Sequence, residues 1–181
     1  MSFSVDVKTE LCRAPLSRKC CAQAEAYGVL LYCNTFHAAQ ARIVTENGAF
    51  AQRLPLLFKK AFRLTFDSLP QGGGKQIFEI TDPNKLAALH QAFGTDPRAL
   101  ALHVNFAMLE ETCCRSAFLR GAFLAGGSVT DPRKSYHLEL ATSHRSVSRE
   151  VLALMRELDQ EAKSAQRKGN TVIYFKQSEQ I

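Results

Sequence analysis

The chain has 181 residues, 46% of them apolar and 22% charged, enough to bury one good core or two small halves that share one. Its longest apolar stretches, 26–33 and 122–125, fall far short of the roughly 20 residues a membrane helix needs, and residues 1–10 carry acids and no apolar h-region, so membrane and secretory classes are excluded in favour of a cytoplasmic protein. A net charge of +6 and a pI near 9.1 suit a polyanionic partner, because lysine and arginine release counterions from phosphate on binding.

In chain order, residues 4–13 read as a short leading helix. A second helix follows across 20–31, with Ser17 as its cap and apolar residues on most of its faces. Residues 41–45 have strand character, and Asn47 can cap a helix on which Phe50, Leu54, Leu57, Phe58 and Phe62 recur at helical spacing. A hairpin is expected next, 63–66 pairing with 76–80 around the glycines at 72–74. Asp82 and Pro83 suit the start of a helix carrying Leu86, Leu89 and Phe93, and 94–97 reads as a boundary. Beyond it, Thr112 caps another apolar helix, and 136–142 alternates as a strand. Val147, Val151, Leu154, Met155 and Leu158 mark a helix, and 162–166 with 171–176 form a hairpin around Lys168, Gly169 and Asn170. A further helix would open at 178–180, which reads as a sequence cut where that helix begins, with more protein downstream.

The order repeats because the sequence repeats. Cys20, Cys21, Ala24, Gly28 and Leu31 match Cys113, Cys114, Ala117, Gly121 and Leu124 at a constant offset of 93. Five matches in twelve, including a rare cysteine pair, indicate duplication. Ala24 and Gly28 share a helix face, as do Ala117 and Gly121, and small residues there let two helix backbones approach more closely than the usual 8–10 Å. The two helices are therefore expected to pack on each other across a pseudo-twofold axis.

This doubled α-β-β-α-β-β-α order, with the run from Phe118 to Ser128 (FLRGAFLAGGS), resembles the LAGLIDADG homing endonucleases. The stretch from Cys113 to Ser128, followed by Asp131-Pro132 and the 136–139 segment, resembles more specifically the WhiA family of bacterial regulators. So do Ser2-Phe3-Ser4 with Lys8, Glu10 and Leu11, the Thr45-Glu46-Asn47 turn, and Tyr174-Phe175-Lys176 before Ser178-Glu179. The resemblance implies an α+β fold of two pseudo-symmetric halves packed on their central helices: a leading helix in 1–16, a first half in 17–94, a connector in 95–109 and a second half in 110–181, truncated at its last helix. It implies a transcription factor of mainly Gram-positive bacteria tied to sporulation, cell division and chromosome segregation, associated with the nucleoid, whose downstream helix-turn-helix domain is absent from this sequence.

The nucleases place an acid five residues beyond each central glycine, and the two acids hold the divalent metals that activate water. At those positions this chain has Cys33 and Gly126, neither of which offers a hard oxygen ligand, so nuclease activity is not expected. Glu25 and Glu139 are the nearest displaced acids. The glycines at 72–74 with Lys75 lack the spacing and the following Ser or Thr of a phosphate loop, and His137-Leu138-Glu139 lacks a downstream P-C-x-x-C. His37, His90, His103 and His144 read as surface or edge residues. Six cysteines with two vicinal pairs and no C-x-x-C read as small buried thiols, so no cofactor or metal is expected.

In the nucleases, two sheets form a saddle over duplex DNA. The strand and hairpin cations that would meet phosphate on such a saddle are Arg42 in the first half and Arg133, Lys134, Lys163, Arg167, Lys168 and Lys176 in the second. Alternation does not fix which strand face is outward. Two roles follow: a regulatory domain that binds double-stranded DNA without cutting it, or an interaction or scaffolding domain whose saddle meets a protein partner or the helix-turn-helix domain. A basic saddle favours the first and a mixed-charge or apolar one the second. An active endonuclease is a distant third.

Overall fold

The structure, a computed structural model, describes residues 2–70 and 72–181. Two apolar helices form its centre, α2 (Lys19–Tyr32) and α5 (Thr112–Gly126). Neither could face water, since every residue of α2 from Ala24 to Tyr32 is buried, and so are Ala117, Phe118 and the run 121–124 of α5. They cross at their glycines. A Cβ on Gly28 would lie 2.1 Å from the Phe118 carbonyl oxygen, and one on Gly121 would lie 2.0 Å from that of Glu25. Glu25 and Phe118 are themselves equivalent at the offset of 93, so the two approaches are pseudo-twofold images of one contact. Ala24 and Ala117 are buried on the same faces. Neither helix has the expected cap. Arg18 and Glu111 occupy the capping positions without a side-chain hydrogen bond, because α2 begins two residues after Ser17 and Thr112 is already helical.

Each half adds a sheet and an amphipathic helix. A leading helix, α1 (Phe3–Leu11), precedes the first half; there β1 (Thr35–His37), β2 (Gln40–Thr45) and β3 (Gln76–Ile80) pair antiparallel in the order β1-β2-β3. Between β2 and β3 lies α3 (Gly48–Phe62), which Asn47 caps by accepting from the Phe50 N–H at 3.0 Å. It buries Phe50, Arg53, Leu54, Leu57, Phe58 and Ala61. After β3 comes α4 (Pro83–Phe93), capped by Asp82 and closed by Gly94 at φ +67. In the second half β4 (Gly127–Val129), β5 (Leu138–Thr142), β6 (Lys163–Arg167) and β7 (Asn170–Phe175) pair in the order β4-β5-β7-β6, and α6 (Arg145–Glu157) buries Val147, Val151, Leu154 and Met155. Residues 178–180 make a short 3-10 turn.

The first-half hairpin does not form as expected. Arg63 ends α3 in the left-handed region, at φ 56, and turns the chain so that Phe66 enters the core against Phe58 and Phe78, with ring centres 4.8 and 5.1 Å away. Pairing of this segment with β3 is reduced to one bridge, Ser68 to Glu79. Burial of an aromatic side chain outweighs the ladder hydrogen bonds a strand at 63–66 would have made. His90, expected at the surface, is buried and stacked on Phe36 at 4.9 Å, with its Nδ1 2.8 Å from the Thr95 hydroxyl. Among the described residues, no helix is long and apolar enough to cross a membrane.

Candidate nucleic-acid interface

The central helices run side by side to their carboxyl ends, which open into a cleft of about 280 Å³ lined by Tyr32, Cys33, Asn34, Ala125, Gly126, Ala141, Thr142, Ser143 and Asn170. Helix carboxyl ends carry partial negative charge and would welcome a cation. This lining, however, contains no carboxylate. The Cys33 thiol donates to the carbonyl oxygens of Leu30 and Thr35 at 3.2 and 3.3 Å, and burial pushes it up to about 12. Gly126 lies so close to its neighbours that a Cβ would sit 2.5 Å from the Ala141 carbonyl oxygen and 2.9 Å from that of Tyr32.

Neither displaced acid reaches the cleft as an open ligand. Glu25 is fully buried midway along α2, 2.7 Å from Arg53 and 2.6 Å from Arg120. Both of its oxygens are occupied. Glu139 lies on β5 with His137 at 3.0 Å and Arg167 at 3.1 Å. Burial pushes its carboxyl up, but those two hydrogen bonds outweigh burial and leave it below the usual carboxylate range.

Register settles which strand faces point outward. In the first sheet Ala41, Ile43, Phe78 and Ile80 face the core, so Arg42 and Glu79, directly paired across β2 and β3, face out. In the second sheet Leu140, Ile173 and Phe175 face the core; Glu139, Tyr174, Lys163 and Arg167 face out. The other four cations stand at the rim of this face. Arg133 and Lys134 occupy the 131–134 turn after β4, Lys168 and Gly169 form the tip between β6 and β7, and Lys176 follows β7 with its ammonium 5.5 Å from the Tyr174 ring centre. Lys168 takes φ 50 and Gly169 φ 83, the geometry of a tight hairpin tip.

Three of the seven cations are matched by acids. Arg42 lies 3.4 Å from Glu79 and Arg167 3.1 Å from Glu139, while Arg133 holds the Asp131 carboxyl down at about 2 from 2.7 Å. Lys134, Lys163 and Lys168 are exposed and make no ion pair among the described residues. The outward face is thus cationic with acids set into it. Sequence reasoning missed the face's other members, Glu79, His137 and Tyr174, whose rings in the last two cases stack at 5.8 Å. The signal that could have found Tyr174 is the strand 171–176, in which alternation sets it opposite to Ile173 and Phe175.

Two halves joined on glycine-crossed central helices, each carrying an antiparallel sheet beside the helix ends, define a LAGLIDADG homing-endonuclease-like protein. The same fold is seen in the solved structure of I-DmoI in complex with DNA and Mn, with a TM-score of 0.59 at 10% identity over 87% of this chain and 90% of that one. The crystal structure of the N-terminal LAGLIDADG domain of DUF199/WhiA matches with a TM-score of 0.73 at 20% identity, over 99% of this chain and 86% of that one. The profile of the WhiA LAGLIDADG-like domain matches residues 115–181. Over its whole length the chain is 36% identical to "Probable cell division protein WhiA" of Ruminiclostridium cellulolyticum, and 30% identical to the protein of the same name in Alkaliphilus metalliredigens. It spans 61% and 62% of the lengths of those two relatives. The chain is a LAGLIDADG-like domain of the WhiA family.

Proposed function

We propose that this domain holds duplex DNA against its two sheets without cutting it, as part of a nucleoid-associated transcription regulator concerned with cell division, chromosome segregation and sporulation. One observation carries the reading: Arg42, Lys163 and Arg167 point outward from the two sheets that flank a cleft in which the nuclease acid positions hold Cys33 and Gly126. Lysines meeting phosphate supply affinity and salt dependence and little sequence choice, so target selection falls to another part of the regulator. The lining of the cleft supports a loss of cutting. A buried thiol and a glycine offer no hard oxygen ligand for magnesium.

Fluorescence anisotropy with a generic duplex across a salt series tests the binding half. Charge reversal of Lys163 and Lys168 together is expected to weaken binding and to lower the salt slope by about one per lysine. An unchanged slope would count against this face. A second reading keeps the fold but gives the face to a protein: the acids Glu79, Asp131 and Glu139 among the cations make a mixed-charge surface. Absence of DNA binding at low salt would favour that reading.

Restoring one acid is expected not to restore cutting. In Gly126→Asp the new Cβ would collide with the Ala141 and Tyr32 carbonyl oxygens, which are backbone atoms and yield poorly. We expect a loss of about 1–3 kcal/mol of stability, read by urea denaturation, and no magnesium-dependent cleavage. Full stability would mean that the helix end is looser than this geometry requires.

A further inference from the structure

At the opposite ends of the central helices, the duplication brings four cysteines together. Cys20 and Cys21 are the second and third residues of α2, and Cys113 and Cys114 are the second and third residues of α5. The sulfurs of Cys20, Cys21 and Cys114 all lie within 4.8 Å of one another, and so do the Cys113 and Cys114 sulfurs and a Glu111 carboxylate oxygen. The thiols of Cys21 and Cys114 each interact with those of Cys20 and Cys113. All are free thiols, three of them partly exposed. We propose that Cys20, Cys21, Cys113 and Cys114 form a tetrahedral thiolate site for a zinc-class divalent cation, clamping the two halves together at their helix amino termini.

Geometry and charge both suit such an ion. A tetrahedral site with metal–sulfur bonds of about 2.3 Å sets its sulfurs roughly 3.8 Å apart. Cys20, Cys21 and Cys114 already lie within 4.8 Å of one another, and Cys113, within that distance of Cys114, would turn from Glu111 toward them to complete the set. Each thiol that binds gives up its proton to solvent, so four thiolates around a divalent ion carry a net charge of about −2. That charge meets the positive ends of two helices at once. It also meets Arg18, whose guanidinium donates to Cys113 Sγ at 3.2 Å and pairs with Glu111 at 3.1 Å. Glu111 in turn accepts from Cys113 Sγ at 3.4 Å and stands by as an outer partner. No C-x-x-C signals this site, because its ligands come from two vicinal pairs 93 residues apart.

The test is a titration of the chain, purified in reductant and stripped by chelator, with Co2+ and then Zn2+. Expected are the visible bands of tetrahedral cobalt thiolate saturating at one equivalent per chain, displacement of cobalt by zinc, proton release, and protection of the four thiols from alkylation. Cys20→Ser and Cys114→Ser should weaken binding by more than the ~10–100-fold that outer-shell changes produce. Cys12→Ser and Cys33→Ser should leave it unchanged. If the ligand variants do not fold, the wild-type spectrum and stoichiometry decide by themselves. Absence of the cobalt spectrum, zinc that leaves all thiols open to alkylation, or disulfides that persist in a reducing glutathione buffer would each overturn the proposal.

Discussion

Replacement of Gly28 by valine is expected to unfold the protein or to destabilise it by about 3 kcal/mol or more, the upper part of the range for overpacked sites. Even the first carbon of a side chain would lie 2.1 Å from the Phe118 carbonyl oxygen and 2.9 Å from the Ala122 nitrogen, both backbone atoms of the facing helix. The helices would have to move apart, and the apolar contacts along the crossing would loosen with them. Gly121→Val should behave alike, because its contacts with Glu25 and Val29 are the pseudo-twofold counterparts. Gly48→Ala, whose Cβ would meet nothing within 4 Å, is the control and should keep its melting temperature within a few degrees. For a chain of this size each kcal/mol shifts the melting temperature by roughly 2–4 °C, so thermal denaturation separates the two groups clearly. A Gly28→Val protein that melts with the wild type would refute the close crossing.

Glu25→Ala is expected to produce a loss of similar size, about 3–5 kcal/mol, by a different route. Glu25 accepts from Arg53 Nε and Nη2 at 2.7 and 2.9 Å and from Arg120 Nε at 2.6 Å. Arg53 also donates to the carbonyl oxygens of Cys12 and Ala14, tying the segment after α1 to the core. Without the carboxylate, Arg53, with only 5% of its side chain exposed, keeps a buried charge that has lost its counter-ion. Breaking a buried pair is far more harmful than replacing it whole. A variant with Leu at 25, Met at 53 and Leu at 120 should therefore recover much of the loss in urea denaturation. Equal damage in both would show that the three residues act through packing alone.

How much of this could be read from the sequence depends on whether the signal was local. The glycine crossing was legible because duplication writes the same pattern twice, and the helices of 48–62 and 83–93 because Asn47 and Asp82 cap apolar periods. The strand expected at 63–66 was not, since nothing nearby in sequence says that Phe66 will turn inward onto Phe58 and Phe78. His90 was misplaced for the same reason: its partner Phe36 lies far away in the chain. For the candidate interface, residue types singled out Arg42, Lys163 and Arg167, but only strand register could set them outward. Register also sets Glu79 directly opposite Arg42, while Glu139 reaches Arg167 from β5 across the intervening β7. The four-thiol cluster lay beyond reach because its pairs meet only when the two halves dock.

The measurement that bears most directly on the central claim follows one set of samples, domain with generic duplex DNA across a salt series with and without magnesium, for both binding and strand cleavage. The proposal predicts micromolar-range binding at low salt that falls steeply as salt rises, with the DNA intact throughout. Magnesium-dependent cleavage would contradict the inference drawn from Cys33 and Gly126, and a failure to bind at low salt would take the outward cations of the two sheets away from DNA.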